Sequence, residues 1–534
     1  MQQNQPISYP EWTEYRKKNG LDPLGMQTGS VSIYQRLLPG ISNVTLRMRY
    51  YGLYAWLADT YAKKIGDTNP KNWQRFLRRA EALYALVAQR RGNETGVAGV
   101  EWAQDTLGEV AKINGTIIDF AGATEPGTAG HYLEKPYLQQ QWGAYGAAYG
   151  SQLFEIGIFD DAKGHAIAVP SKEIGDDLAE VFAQGLSGIA AQFASTIVDG
   201  HVSLKTLDSF AGITPSGIAA NSAECTLYED ILFAKAGLER PEDIDRRRSL
   251  MLLLALAKQR GAAPAIADVR WMLYAGYDAG NQPLQLSGEG QEAQRWRWWV
   301  YQANDLLHVC YEALLKFSLD VLGEYPAGIS LARLVGETVA RLLSAHVGKT
   351  PDWDSFLAAH PAPANCLDPN EQAGEFYLQR ELMRKMRLDG VCEPADAWLA
   401  VKLLAVLHNR VRSSPKDPGE ELGKLDEKNL VRSLITERRY LDAHAKQDFS
   451  AFIARLIEER VIRRHLWVGL RKFRVQGDYT FLIETDDGRV RRRAVDGPVF
   501  TNPRLGPALT FLRDVHLIDD NGLTTRGQEL ANAP

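Results

Sequence analysis

From about residue 180 to residue 445 the chain runs through one amphipathic stretch after another, with apolar residues at helical spacing and short polar linkers between them. Leu250 to Lys258 reads as an apolar core helix and Ser330 to Val347 as an amphipathic one, while Ser413 to Lys424, with two prolines, reads as a charged linker. Such a pattern predicts a mainly α fold. At 534 residues the chain exceeds what one hydrophobic core supports, so several domains are expected. The linkers divide it into an N-terminal helical domain over 1–195, a central helical domain over 196–412, and a C-terminal segment over 413–534.

No apolar run reaches the roughly 18 residues that a membrane span needs, and Met1 to Tyr9 is polar, without the basic and apolar regions of a secretory signal. A soluble, cytoplasmic protein is expected. Cys225, Cys310, Cys366 and Cys392 lie far apart with no CxxC pairing, which reads as core thiols rather than a zinc ribbon or a disulfide framework.

The formal net charge of -5 conceals an uneven distribution. Between Arg36 and Arg91 eleven Lys or Arg stand against three acids, and between Arg455 and Arg493 eleven stand against six. Separate basic stretches on an acidic body are the footprint of phosphate recognition; the plainer reading is a pair of solvated helix faces.

Within the first stretch, Pro39-Gly40 makes a turn, and Ser42 or Asn43 is placed to cap a helix of about twenty residues running to Lys64. On that helix Asn43, Arg47, Tyr50 or Tyr51, and Tyr54 would share one face. An amide and a guanidinium suit phosphate or base edges, and tyrosine stacks on an exposed base; the alternative is that the tyrosines are packing residues. A second amphipathic, arginine-rich helix follows over Trp73 to Arg91.

Two distant segments resemble each other. Leu153-Phe-Glu-Ile-Gly-Ile-Phe-Asp-Asp161 matches Leu512-Arg-Asp-Val-His-Leu-Ile-Asp-Asp520, and each leads into a Gly-containing helix start, Pro170 to Gly175 and Thr524 to Gly527. The order helix, strand, turn, strand, helix is that of the last helix and wing of a winged-helix domain, so two winged-helix-like modules are expected. Such modules bind DNA or contact protein. The first is preceded by the glycine-rich Trp142 to Gly150, which is not a phosphate loop, since no Gly-Lys-Ser/Thr is present. Upstream of the second lie Arg463, Arg464, Arg471, Lys472 and Arg474, then an alternating hairpin from Tyr479 to Val490 turned by Asp486-Asp487-Gly488, then Arg491, Arg492 and Arg493. An arginine-edged ribbon of this kind predicts a duplex DNA contact driven by counterion release.

The segment Arg295 to Glu312 combines an aromatic and arginine start with polar groups inside a hydrophobic helix. Asp305, His308 and Glu312 share one face of it. A carboxylate in an apolar setting acts as acid or base, which makes Asp305 with His308 the catalytic candidate; the alternative is a satisfied polar network in a helical core. His-x-x-x-Glu supplies only two ligands, so no metal and no cofactor is expected. No nucleophile elbow, dinucleotide fingerprint or kinase signature is present.

Leu24-Gly25-Met26, Leu37 to Thr45 and Arg47 to Trp56, together with Trp142 to Gly157, resemble the N-terminus of a bacterial family found in phage-defence loci, most like the Brig-type DNA glycosylases. The resemblance implies excision of glucosylated hydroxymethylcytosine from modified phage DNA, with double-stranded DNA as partner. It carries over no catalytic residue. Such an enzyme extrudes its base and stacks it on aromatics, roles open to Tyr50, Tyr51, Tyr54, Trp296 and Trp298. The other readings are a DNA-binding sensor without enzymatic activity and an interaction subunit of a defence complex.

Overall fold

The computed structural model describes residues 22–125, 136–160, 167–186, 188–235, 240–286, 288–424 and 431–532. Helices dominate, as the periodicity predicts, and the strands are short. No single helix among the described residues is long and apolar enough to cross a membrane.

The chain forms two compact units, each discontinuous in sequence: 1–33, 271–282 and 297–501 make one, and 34–270, 283–296 and 502–534 the other. These units cut across the three consecutive segments expected from the linkers.

The first unit is organised by the helix Gln291–Gly323, which is buried without a break from Trp298 to Leu322. Polar side chains inside so long a buried stretch need partners, and Lys316 and Asp320 show how they find them. Lys316 donates to Gly390 O and pairs with Asp320, whose carboxylate also accepts from the Cys392 N–H at 3.0 Å. A three-stranded antiparallel sheet joins Ile483–Asp486, Arg489–Arg492 and Ile329–Ser330, with Arg489–Arg492 in the middle. The hairpin turns at Asp487 and Gly488, with φ of 46° and 72°, the left-handed pair that an Asp-Gly turn supplies.

In the second unit the helix Arg49–Lys64 lies at the centre, packed against Gly175–Gly185 and Pro70–Arg91. It begins six residues after Asn43, not at the expected cap. Ser42 N–H donates to Thr45 Oγ1 at 2.8 Å and Val44 N–H to Ser42 Oγ at 3.3 Å, so these side chains satisfy a turn instead of a helix. The cap comes from a distant residue: Asp514 accepts the Met48 N–H at 2.9 Å. The second helix starts at Pro70, with Asn69 accepting the Lys71 N–H at 3.0 Å.

The sequence repeat is reproduced in detail. Gly150–Glu155, Phe159–Asp160, Val169–Pro170 and Gly175–Gly185 follow the same order as Leu505–Asp514, Ile518–Asp519, Gly522–Leu523 and Thr525–Ala531. Ile158 N–H donates to Leu153 O at 2.9 Å, as Leu517 N–H donates to Leu512 O at 2.9 Å. Ser171 Oγ donates to Gly157 O as Thr524 Oγ1 does to His516 O, both at 2.6 Å. The strands are two residues long, and Asp161 lies outside the described residues, so what is observed is a helix, a minimal strand pair and a helix, twice.

Candidate nucleic-acid interface

Helix Arg463–Gln476 continues Phe449–Arg455 through a π-helical stretch, Leu456–Ile462, and ends at Gly477 in the left-handed conformation. Its inner face is Arg464, His465, Val468 and Gly469. Gly469 is required there, because a Cβ would stand 2.8 Å from the Phe481 ring. His465 accepts the Leu482 N–H at 2.9 Å through Nε2 and donates from Nδ1 to Pro23 O at 3.1 Å. Burial pushes its pKa down to about 4, so it is the neutral tether of the following loop. Arg464 is also structural, bonded to Glu437 at 2.6 Å.

The outer face is different. Trp467 is 51% exposed, Leu470 49%, Phe473 48% and Tyr479 41%, an unusual amount of ring surface to leave in water. Arg471 and Arg432 stand 5.3 and 5.2 Å from the Trp467 ring. Arg474 is exposed, and neither it nor Arg471 forms an ion pair with any described residue. Arg463 reaches outward with Glu458 at 2.6 Å, a pair too exposed to hold it firmly. Lys472 differs from its neighbours: it is partly buried and donates to Asp22 O at 3.0 Å.

Tyr479 joins this face to the hairpin. Its ring lies 5.9 Å from Phe473 and 4.6 Å from the Arg493 guanidinium, and its hydroxyl donates to Glu484 at 3.2 Å. Arg493 pairs with Glu484 at 2.9 Å and both are nearly buried. Across the ladder Glu484 opposes Arg491 and Asp486 opposes Arg489, so the ribbon neutralises part of its own charge. Arg491 and Arg492, with Tyr325, line a cleft of about 380 Å3 at the edge of the hairpin. The basic residues expected here divide: Arg471 and Arg474 are on the outer face, Arg464 is buried, Lys472 is held by Asp22 O, and Arg491 and Arg492 line the cleft beside the hairpin, while the rings of Trp467, Phe473 and Tyr479 went unnoticed. The signal was Arg463, Trp467, Arg471 at four-residue spacing, aromatic where a buried face would place an aliphatic.

The N-terminal candidates lie elsewhere, in the second unit, and inside it. Tyr50, Tyr51 and Tyr54 are fully buried. Tyr50 accepts the Ala98 N–H, Tyr51 donates to Gly40 O, and Tyr54 donates to Glu81 at 2.7 Å. Glu81 is a fully buried carboxylate that also accepts the Ala144 and Tyr145 N–H groups, and burial pushes its pKa up to about 7. Gly143 is needed beside it, since a Cβ there would meet Glu81 Oε2 at 2.0 Å. Arg47 bonds Asp514 through Nε and Nη2 at 3.0 and 2.9 Å and donates to Thr95 O, and Asn43 brackets the turn before Leu505 by donating to Asn502 O and accepting the Arg504 N–H. The face expected to meet DNA instead fastens the C-terminal repeat to the helix Arg49–Lys64. Several arginines of the first basic stretch are paired in the same way: Arg49 with Glu224, Arg75 and Arg79 with Glu125, and Arg90 with Asp208.

Asp305 and His308 meet as expected, in a closed setting. His308 Nε2 donates to Val499 O at 2.8 Å, and Nδ1 lies 3.3 Å from Asp305 Oδ1. Asp305 accepts from Thr501 Oγ1 at 2.7 Å and from the Tyr301 hydroxyl at 3.3 Å, while Glu312 accepts from Gln27 at 2.8 Å and from the Val499 N–H at 3.1 Å. Burial pushes Glu312 up to about 7; burial opposes charge on His308 too, but Glu312 and Asp305 outweigh it and raise its pKa. All three residues are at most 2% exposed. The arrangement is a closed polar network that fixes residues 499–501 along the buried helix, with His308 Nδ1 facing Asp305 without a hydrogen bond. Trp298 is buried with its ring perpendicular to that of Tyr301, and Trp296 is half-buried.

Comparison with protein-family models, curated proteins and solved structures gave no match.

Proposed function

We propose that the chain binds DNA through the outer face of helix Arg463–Gln476 and the adjoining segment to Arg493, with arginines on phosphates and Trp467, Phe473 and Tyr479 on unpaired bases. The supporting observation is the interleaving of exposed rings with Arg471 and Arg474, which no described carboxylate neutralises. Stacking of this kind contributes about 1 to 3 kcal/mol per base, and each phosphate contact adds a salt-dependent increment. The resemblance to the phage-defence family supplies the substrate class, DNA carrying glucosylated hydroxymethylcytosine. Excision of that base requires a carboxylate within reach of the sugar, and Asp305 is sealed in its network, so binding is the part of the reading with geometric support.

The test is fluorescence anisotropy with unmodified and glucosylated DNA over a salt series, with mass spectrometry of the same mixtures for free base. Trp467→Ala and Arg474→Ala are each expected to weaken binding by about ten-fold, and Arg474→Ala to lower the salt slope by roughly one phosphate equivalent. Binding that is insensitive to both changes, or tighter to anionic vesicles than to DNA, overturns the proposal. Free base from modified DNA alone would add glycosylase activity; binding without release leaves a DNA sensor.

A further inference from the structure

Arg432 stands just before helix Leu434–Ala443 with φ of 75°, the left-handed conformation that an L side chain adopts only at a cost. Its side chain is buried, with 7% of the residue exposed, and Nε donates to Gly25 O at 2.8 Å. Gly25 makes room for it, since a Cβ there would stand 3.0 Å from that Nε. Strained backbone, fixed Nε and glycine cradle together hold the guanidinium in one place. Nothing described neutralises it. Arg432 forms no ion pair with any described residue, and the carboxylates nearest in charge are occupied: Asp22 accepts the Met26 and Gln27 N–H groups, and Glu437 holds Arg464. Nη1 and Nη2 have no hydrogen-bond partner among the described residues, yet they keep accessible surface, unlike the sealed Nε atoms of Arg79 and Arg460. Arg471 approaches the same Trp467 ring, at 5.3 Å against 5.2 Å for Arg432, and it too has no hydrogen bond or ion pair with a described residue. Burial holds the pKa of Arg432 below the ordinary arginine value, and the positive charges of Arg471 and Arg464 push the same way. A mostly buried cation kept beside like charges is costly until an anion completes it.

We propose that Arg432 and Arg471 together bind one phosphate group beside Trp467. Planar guanidinium forks match phosphate oxygens, and two of them with no acceptor between them select an oxyanion over a neutral or cationic group. The inference rests on the DNA reading of this face and deepens it. Arg463 and Arg474 reach outward from the helix, whereas Arg432 is preset, so it fixes the point at which the nucleic-acid backbone crosses the helix. A phosphate inside a strand and one at a 5′ end share this chemistry.

Anisotropy of the full-length protein with oligothymidylate, with and without a 5′-phosphate, over a salt series tests the assignment, alongside isothermal titration with inorganic phosphate. Glutamine keeps a donor at the ε position for Gly25 O and removes both terminal nitrogens. Arg432→Gln is therefore expected to weaken DNA binding by about ten-fold at an unchanged melting temperature, and the surface change Arg471→Gln to do the same. The double variant is expected to lose little more than either single one and to lower the salt slope by about one phosphate equivalent, not two, because both residues hold the same group. Losses that add, or a lowered melting temperature in Arg432→Gln with undiminished affinity, overturn the site. A preference for the 5′-phosphorylated strand that Arg432→Gln removes assigns it to a terminal phosphate; equal affinity for the two strands assigns it to a phosphodiester. DNA binding that depends on Trp467 and Arg474 but not on Arg432 or Arg471 overturns this inference alone. Inorganic phosphate bound through Arg432 by a protein that does not bind DNA overturns the DNA reading alone, and binding of neither overturns both.

Discussion

Asp514 holds Arg47 and the first free N–H of the helix Arg49–Lys64 at once, and its carboxylate is only 5% exposed. Taking away the guanidinium would leave a buried charge beside Glu94, which lies 3.5 Å from Arg47 on its other side. Arg47→Ala is therefore expected to cost about 3 to 5 kcal/mol in urea unfolding, with DNA affinity unchanged at temperatures where the variant is folded. A phosphate contact would show the reverse, a loss of affinity at constant stability. Other buried titratable groups set the pH dependence. His465 and His408 are pushed from 6.5 down to about 4 by burial, so the stability they contribute is complete above 6.5 and is lost as pH falls through 4. Glu81 and Glu312 are pushed from 4.5 up to about 7, so their contribution is complete below 4.5 and is lost as pH rises through 7; the raised His308 has the same sign. Opposite slopes cancel between about 4.5 and 6.5 and leave a loss on the alkaline side. The unfolding free energy is expected to be lower at pH 8 than at pH 6, and a maximum near pH 8 would contradict the assignment of Glu81 and Glu312.

At the scale of elements, the two repeats make one prediction in duplicate. A Cβ on Gly175 would stand 2.3 Å from Ile158 O, and one on Gly527 2.0 Å from Leu517 O, so both glycines allow a helix start to sit against a strand carbonyl. Gly175→Ala and Gly527→Ala are each expected to destabilise by about 1 to 3 kcal/mol. Gly336 is inside the helix Leu331–Ser344 with nothing near its Cβ, and Gly336→Ala is expected to stabilise by about 0.5 to 1 kcal/mol. Melting curves that rank the three otherwise would remove the equivalence of the repeats. That equivalence was legible in the sequence because it rests on local order, as was the hairpin at Asp487-Gly488. The start of the helix Arg49–Lys64 was not, because its cap is Asp514, more than four hundred residues away. Nor was the fate of its tyrosines: Tyr50, Tyr51 and Tyr54 look the same on paper whether the hydroxyl meets a base, water or Glu81. Trp467 failed in the opposite direction, an aromatic that went unremarked and that the fold leaves in solvent.

For the whole molecule, what a linear reading misses is that each compact unit is assembled from separated stretches. Composition marks linkers, yet a linker marks a domain boundary only when the chain does not return, and here it returns twice. The segment 413–534 divides at Thr501 between the two units. Its hairpin strand Arg489–Arg492 pairs with Ile329–Ser330, and its helix Leu505–Asp514 is held by Arg47 and, through Asn502 and Arg504, by Asn43. None of those partners is inside the segment. Expressed alone, 413–534 is expected to show no cooperative thermal transition by circular dichroism and poor amide dispersion by NMR. Truncation after Thr501 is expected to lower the helical signal by more than the deleted residues carry, because the helix Arg49–Lys64 loses the carboxylate that caps it. A sigmoidal melt of the isolated fragment would restore the consecutive division. Its absence, with a truncation penalty that Asp514→Asn partly reproduces in the full chain, would locate the coupling in the buried pair between the first basic stretch and the C-terminal repeat.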